Sequence, residues 1–276
     1  MLTSGNYKKH FNVLVSTVEY NSFFLQSSKQ YAAFLQNNSK PLTLERAKAH
    51  LLNILQKQAQ PLEKSDETKQ LPTDTATRLY FNGINGHFDN SDLYQKQLGI
   101  AYGDAYLSCP TLEFAKTLFR SSPDTIKVYQ WFYTAKLGND KKLCGRWQGT
   151  CHVDDVYPVF GVPFRHRKMH HNREREISSE VIRFIRAFVL TGNPGEDQSE
   201  WQSYFMADGG RQLVAPYYEI GNDHKRHTSF KFNLKQLECG LIWNKFVYPS
   251  FLPVVNQTDW LTIKLKTVIK SVAFCT

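Results

Sequence analysis

The chain has 276 residues, and 34 Lys and Arg against 25 Asp and Glu leave a formal charge of +9. At about 150 residues per domain, that length suits one large α/β unit or two small domains. Aromatic residues at 14%, with only 15 Gly and 11 Pro, provide enough apolar material for a packed core and exclude a disordered or low-complexity scaffold. No uninterrupted apolar run approaches the roughly 18 residues of a membrane span, so none is expected. The opening residues, MLTSGNYKKHFNVLV, hold no apolar stretch ending at a small-residue cleavage site, so no signal peptide is expected in this chain. Phe11 to Val15 and Phe23 to Leu25 are apolar runs around the polar stretch Ser16 to Asn21, a pattern of strand, loop and helix start. Leu44, Ala47, Leu51, Ile54 and Leu55 recur at three- and four-residue spacing and predict an amphipathic helix over 42–55. Residues 56–75 are polar, contain two prolines and read as an exposed loop.

Further along, Leu112, Ala115, Leu118 and Phe119 give one apolar face to a helix following Pro110, a residue suited to a first helical turn. Lys127 to Tyr133 is β-branched and aromatic on both faces and reads as a strand buried on both sides. Ile177, Val181, Phe184, Ile185 and Phe188 form a helical stripe that Gly192 and Asn193-Pro194 stop. The stretches HTSFKFNLK (227–235) and WLTIKLKTVIK (260–270) alternate as edge strands do, and the second also reads as a basic, surface-seeking tail. Helices interleaved with apolar strands favour an α/β fold.

Five cysteines, at 109, 144, 151, 239 and 275, form no C-x-x-C pair, so a zinc ribbon or thioredoxin-type motif is unsupported. Wide spacing fits disulfides and buried thiols alike. Cys144 and Cys151 are close enough to pair across a turn, and Cys275 is a candidate for pairing with a second copy, which makes the C-terminal region a candidate homo-oligomer contact. Asn37 and Asn256 open N-x-S/T triplets that accept glycans in a secreted protein. The segment RHRKMHHNRER (165–175) is basic and carries His166 and His170 at i,i+4 spacing, but it lacks helical patterning. No nucleic-acid motif or aromatic interleaving accompanies it. It therefore reads as a solvated loop leading into the 177–190 helix, with neither a metal nor a nucleic-acid partner expected.

Three stretches carry chemistry, GDAYLSCP (103–110), WQGTCHVDDVYPVFG (147–161) and IWNKFVYPSFL (242–252), and VSTVEYNSFFL (15–25) and ISSEVIRFIRAFVLTGNP (177–194) accompany them. In chain order they resemble the C-terminal half of a type-B carboxylesterase, in the cholinesterase-like group of α/β-hydrolases. Trp147, Gly149, His152, Asp155, Phe160 and Gly161 fall in register with that family's histidine segment, W-x-G-x-x-H-x-x-[ED]-x-x-x-[VL]-F-G. The resemblance implies a partial α/β-hydrolase fold made of the C-terminal strands and helices of the central sheet, with the N-terminal half missing. Residues 1–276 would form a single partial domain, and about 253–276 would be a tail.

His152 would be the base that takes a serine proton and returns it to the leaving alcohol, work that suits an imidazole near neutral pKa. Tyr20 occupies the position of the family's acid, with Glu19 one residue earlier and Asn21 where the family has glycine. A phenol with a pKa of about 10 cannot supply the charge that orients an imidazolium, so Glu19 would serve only with a one-residue deletion in the loop. Phe23, Phe24 and Trp147 match substrate-contacting aromatic positions, where a ring face can hold a quaternary ammonium. Asp154 replaces the family's tyrosine two residues after the histidine. Cys109 and Cys239 match a family disulfide. No G-x-S-x-G occurs in the 276 residues and no glycine-rich oxyanion loop is present, so this chain alone is expected not to hydrolyse esters. By resemblance an intact parent would act on an ester substrate in a secreted or cell-surface location without a cofactor. A non-catalytic adhesion or interaction protein of the same group is the alternative.

Overall fold

In the computed structural model, the described residues are 7–8, 10–20, 42–59, 71–84, 90–136, 148–195, 201–222 and 230–247. Six strands fall among them: β1 (Phe11–Val18), β2 (Ile126–Tyr133), β3 (Phe205–Ala207), β4 (Gln212–Val214), β5 (Pro216–Ile220) and β6 (Phe230–Phe232). β1 and β2 pair in parallel from Phe11 opposite Ile126 to Val18 opposite Tyr133. β5 joins the far side of β2 in parallel and β6 closes the sheet antiparallel, giving the order β1-β2-β5-β6. A separate ribbon pairs β3 with β4.

Side-chain alternation along a strand decides which layer covers each face. Val13, Val15, Ile126 and Val128 point one way and pack with Ala115, Leu118 and Phe119 of α4 (Cys109–Ser121). Leu14, Val18, Tyr129, Trp131 and Tyr133 point the other way and meet Ile177, Val181 and Phe184 of α5 (Asn172–Thr191). The sheet is thereby sandwiched, as the double-sided apolar pattern of Lys127 to Tyr133 requires. Phe184, Trp201 and Tyr218 form the centre of the α5 face, with Trp201 stacked on Tyr218 at 4.7 Å and Phe184 edge-on to Trp201 at 4.7 Å. Such ring pairs add about 0.5–1.5 kcal/mol each beyond their buried area.

A second core joins α1 (Leu44–Ala59), α2 (Thr73–Phe81) and α3 (Ser91–Gly103) to the π-helical segment Cys239–Val247. α3 runs into α4 through one π-helical turn, Asp104–Ser108. The extra residue in that turn accommodates Pro110, which lacks an N–H to donate, and directs Asp104 inward.

Several sequence expectations are corrected here. Ser16 to Val18 belong to the strand, because parallel pairing with β2 continues to Tyr133. The 42–55 helix runs over Leu44–Ala59, so residues 56–59 are not loop; Thr73 to Thr75 belong to α2 as well. The 177–190 helix begins at Asn172, because His171 and Glu174 form a reciprocal capping box. The end of the basic segment is therefore a helical first turn rather than solvated loop. Residues 260–270 and the tail from about 253 lie outside the described residues.

Candidate active site

Ligand and catalytic groups in parallel sheets collect beyond the C-terminal ends of the strands. The residues after β1 and β2 do so here. The Glu19 N–H donates to the Tyr133 carbonyl at 3.2 Å, and Thr150 Oγ1 donates to the Thr134 carbonyl at 2.8 Å. The Tyr20 N–H then donates to the Thr150 carbonyl at 2.8 Å, while the His152 N–H donates to the Tyr20 carbonyl at 2.9 Å. The histidine loop is thus laid down as a one-bridge parallel extension beside residues 19 and 20. Gly149 is required at the bend: its φ is +74°, and a Cβ there would meet Glu19 Oε2 at 2.7 Å. Val153, immediately after the histidine, holds φ at +73°. A β-branched residue in that region costs on the order of 1–3 kcal/mol, and such strain persists only where surrounding contacts enforce it.

Burial lowers the His152 pKa below its ordinary value, and the Asp155 carboxylate opposes that shift. The imidazole is therefore neutral at pH 7 and able to accept a proton, with a nearby carboxylate to support the cation that results. Asp155 retains some surface exposure as a residue, yet its carboxyl group is enclosed enough for desolvation to raise its pKa; the Ser16 hydroxyl and His152 pull it back. Ser16 Oγ donates to Asp155 Oδ2 at 2.8 Å, and the Trp131 indole N–H donates to Ser16 Oγ. Asp154 is structural: its Oδ2 accepts the Cys151 N–H at 2.7 Å, tightening the turn. Burial, with Asp155, Asp154 and Glu174 nearby, holds the Tyr133 phenol well above its usual range, so it stays protonated.

The two candidate acids have other partners. The Tyr20 ring is buried with Cys151 and Ile100 against α3, where a Cβ on Gly99 would come within 1.9 Å of it. It is a packing group. Glu19 pairs with Lys96 at 2.8 Å, with its carboxylate beside Gly149, three residues before His152. Cys109 and Cys239 are joined, with an S–S distance of 2.02 Å; Cys151 is disulfide-bonded too. His166 is exposed, whereas His170 Nδ1 lies 2.6 Å from Glu174 Oε2, so the two histidines do not share a site. Phe23, Phe24, Asn37, Cys144, Trp147, Asn256 and Cys275 lie outside the described residues. Sequence reasoning missed Ser16 and Trp131 as Asp155 partners; Asp155 itself was visible as the carboxylate position of the histidine segment.

The carboxylesterase family profile matches residues 3–241, and the chain belongs to that family. Its sheet with helices on both faces is a partial α/β-hydrolase fold. Within the family it is cholinesterase-like. It is 28% identical over 205 residues to an acetylcholinesterase of Leptinotarsa decemlineata, a match covering 74% of this chain and 30% of that protein. It is 26% identical over 174 residues to an acetylcholinesterase of Bungarus fasciatus, covering 62% of this chain and 26% of that protein. The matched region thus spans less than a third of these curated relatives. Among the described residues no helix is long and apolar enough to cross a membrane.

Proposed function

We propose that this chain carries the base-bearing portion of a serine carboxylic-ester hydrolase. His152 takes the proton of a nucleophilic serine during acylation, returns it to the leaving alcohol, and repeats the exchange with water during deacylation. The supporting observation is the pair of backbone hydrogen bonds, Tyr20 N–H to the Thr150 carbonyl and His152 N–H to the Tyr20 carbonyl, that holds the histidine loop after β2 against the residues after β1, at the strand ends. The ester substrate, a secreted location and glycans on Asn37 and Asn256 belong to this reading as features of an intact parent.

The chain by itself is inactive in this reading, because it has no G-x-S-x-G serine and no glycine-rich oxyanion loop. Purified 1–276 is expected to hydrolyse p-nitrophenyl acetate no faster than buffer. Hydrolysis that disappears in His152→Ala would overturn this. A second reading, a non-catalytic cholinesterase-like interaction protein, is favoured by Tyr20, which fills the acid's position with a buried packing ring. The encoding transcript separates the two. An in-frame upstream G-x-S-x-G supports the esterase, and a degraded elbow supports the interaction protein.

A further inference from the structure

α5 is apolar on two sides. Ile177, Val181 and Phe184 face the sheet, whereas Ile182, Val189 and Leu190 are 37%, 75% and 65% exposed. An amphipathic surface helix needs only the first stripe. The second forms one wall of a groove of about 380 Å³, lined by Val159, Ile182, Ile185, Arg186, Val189 and Leu190. Phe164 continues the apolar surface, since a Cβ on Gly161 would touch both Ile182 at 3.7 Å and Phe164 at 3.8 Å.

Positive charge accompanies this groove, in one wall and on the segment after Phe164. Arg186 is in its wall, and Arg165, Arg167 and Lys168 stand exposed just after Phe164. None of these four side chains forms an ion pair among the described residues, whereas the neighbouring acids are engaged: Glu174 with His170, and Glu176 with Arg173. Unneutralised cations beside exposed aliphatic residues call for a ligand that is both anionic and apolar.

We propose that this groove docks an acidic peptide segment of another protein, its apolar side chains seated between Val159 and the Ile182–Leu190 stripe and its carboxylates on Arg165, Arg167, Lys168 and Arg186. Charge decides the occupant. A second copy would bring another +9, and residues 260–276 of this chain carry Lys264, Lys266 and Lys270 with no carboxylate. A planar bilayer would rest on the rim, whereas inserted side chains can fill the recess. The proposal does not depend on whether the parent is an esterase.

Selection of a random 16-residue phage-displayed peptide library on the immobilised 276-residue chain tests it. Enriched peptides are expected to combine Asp or Glu with spaced Leu, Ile or Phe, and to lose at least tenfold in affinity for Val189→Asp/Leu190→Asp. Arg165→Glu/Arg167→Glu should lose several-fold and blunt the salt dependence. Both variants alter exposed positions, and unchanged circular dichroism confirms that they fold. No enrichment, or peptides indifferent to both variants, overturns the proposal. So does binding confined to phosphatidylserine vesicles and lost in the same variants, which would assign the face to a membrane.

Discussion

Asp104 and Asp155 are two enclosed carboxyl groups with opposite surroundings. Asp104 meets Lys235 Nζ at 2.6 Å and the Tyr80 hydroxyl at 2.9 Å, and Tyr80 in turn accepts the Trp243 indole N–H at 2.8 Å. Asp155 has the Ser16 hydroxyl and the field of His152, and among the described residues no Lys or Arg pairs with it. Burial raises both pKa values, but only at Asp104 does a full counter-charge oppose it. The first group ties α2, the π turn and the Cys239–Val247 segment together. The second faces a histidine held neutral. Removing one partner of a compensated buried pair strands a charge, while an incompletely compensated carboxyl beside a titratable partner is a candidate for chemistry.

The largest effect expected from breaking the Asp104 side is loss of the bridge between residues 130 apart in sequence, Cys109–Cys239. Cys109→Ser/Cys239→Ser should lose about 5 kcal/mol in urea unfolding, by the chain-entropy relation. Next, Lys235→Met leaves Asp104 buried without its cation and should cost about 3–4 kcal/mol, most of it recovered in Lys235→Met/Asp104→Leu. On the site side, Gly99→Ala drives a methyl into the Tyr20 ring and should cost about 2 kcal/mol, relieved when Tyr20→Ala is added. If Gly99→Ala is silent, Tyr20 is not the packing group described.

The smallest effect is a pH slope. The folded His152 pKa lies below the unfolded value of about 6.5, so between the two the unfolded chain binds more protons. Stability therefore falls as pH drops through about 6.5 and levels off below the folded value, with a slope of at most about 1.4 kcal/mol per pH unit for one proton. His50, lowered by burial and Arg46, contributes with the same sign. The diagnostic is the difference between wild type and His152→Gln in urea midpoints at pH 7.5 and 5.5, which should show a shallower slope in the variant. Asp155, raised in the fold, has the opposite sign: the stability it adds is present at low pH and lost as pH rises through its folded value.

Much of the framework was legible in the residues. The Lys127 to Tyr133 strand and the Ile177-to-Phe188 stripe come from periodicities that a short window contains, and both hold in the structure. α3 escaped because its buried Tyr94, Leu98 and Ala101 alternate with glycine and polar residues that blur the stripe. Glu19 and Tyr20 could be placed at the acid's position but not assigned a role, since their partners Lys96 and Gly99 lie on a helix far along the chain.

By itself the amino-acid order determined the strand and helix patterns, the histidine segment and the absence of a G-x-S-x-G serine, because each is a local pattern. Tertiary structure decided which enclosed carboxyl groups meet a counter-charge and which, among the described residues, do not. Asp155 meets Ser16 across 139 residues of chain, and Ser16 meets Trp131 across 115. Desolvation and counter-charge depend on such distant contacts. A one-dimensional pattern holds the residue types but not the enclosure that sets their protonation.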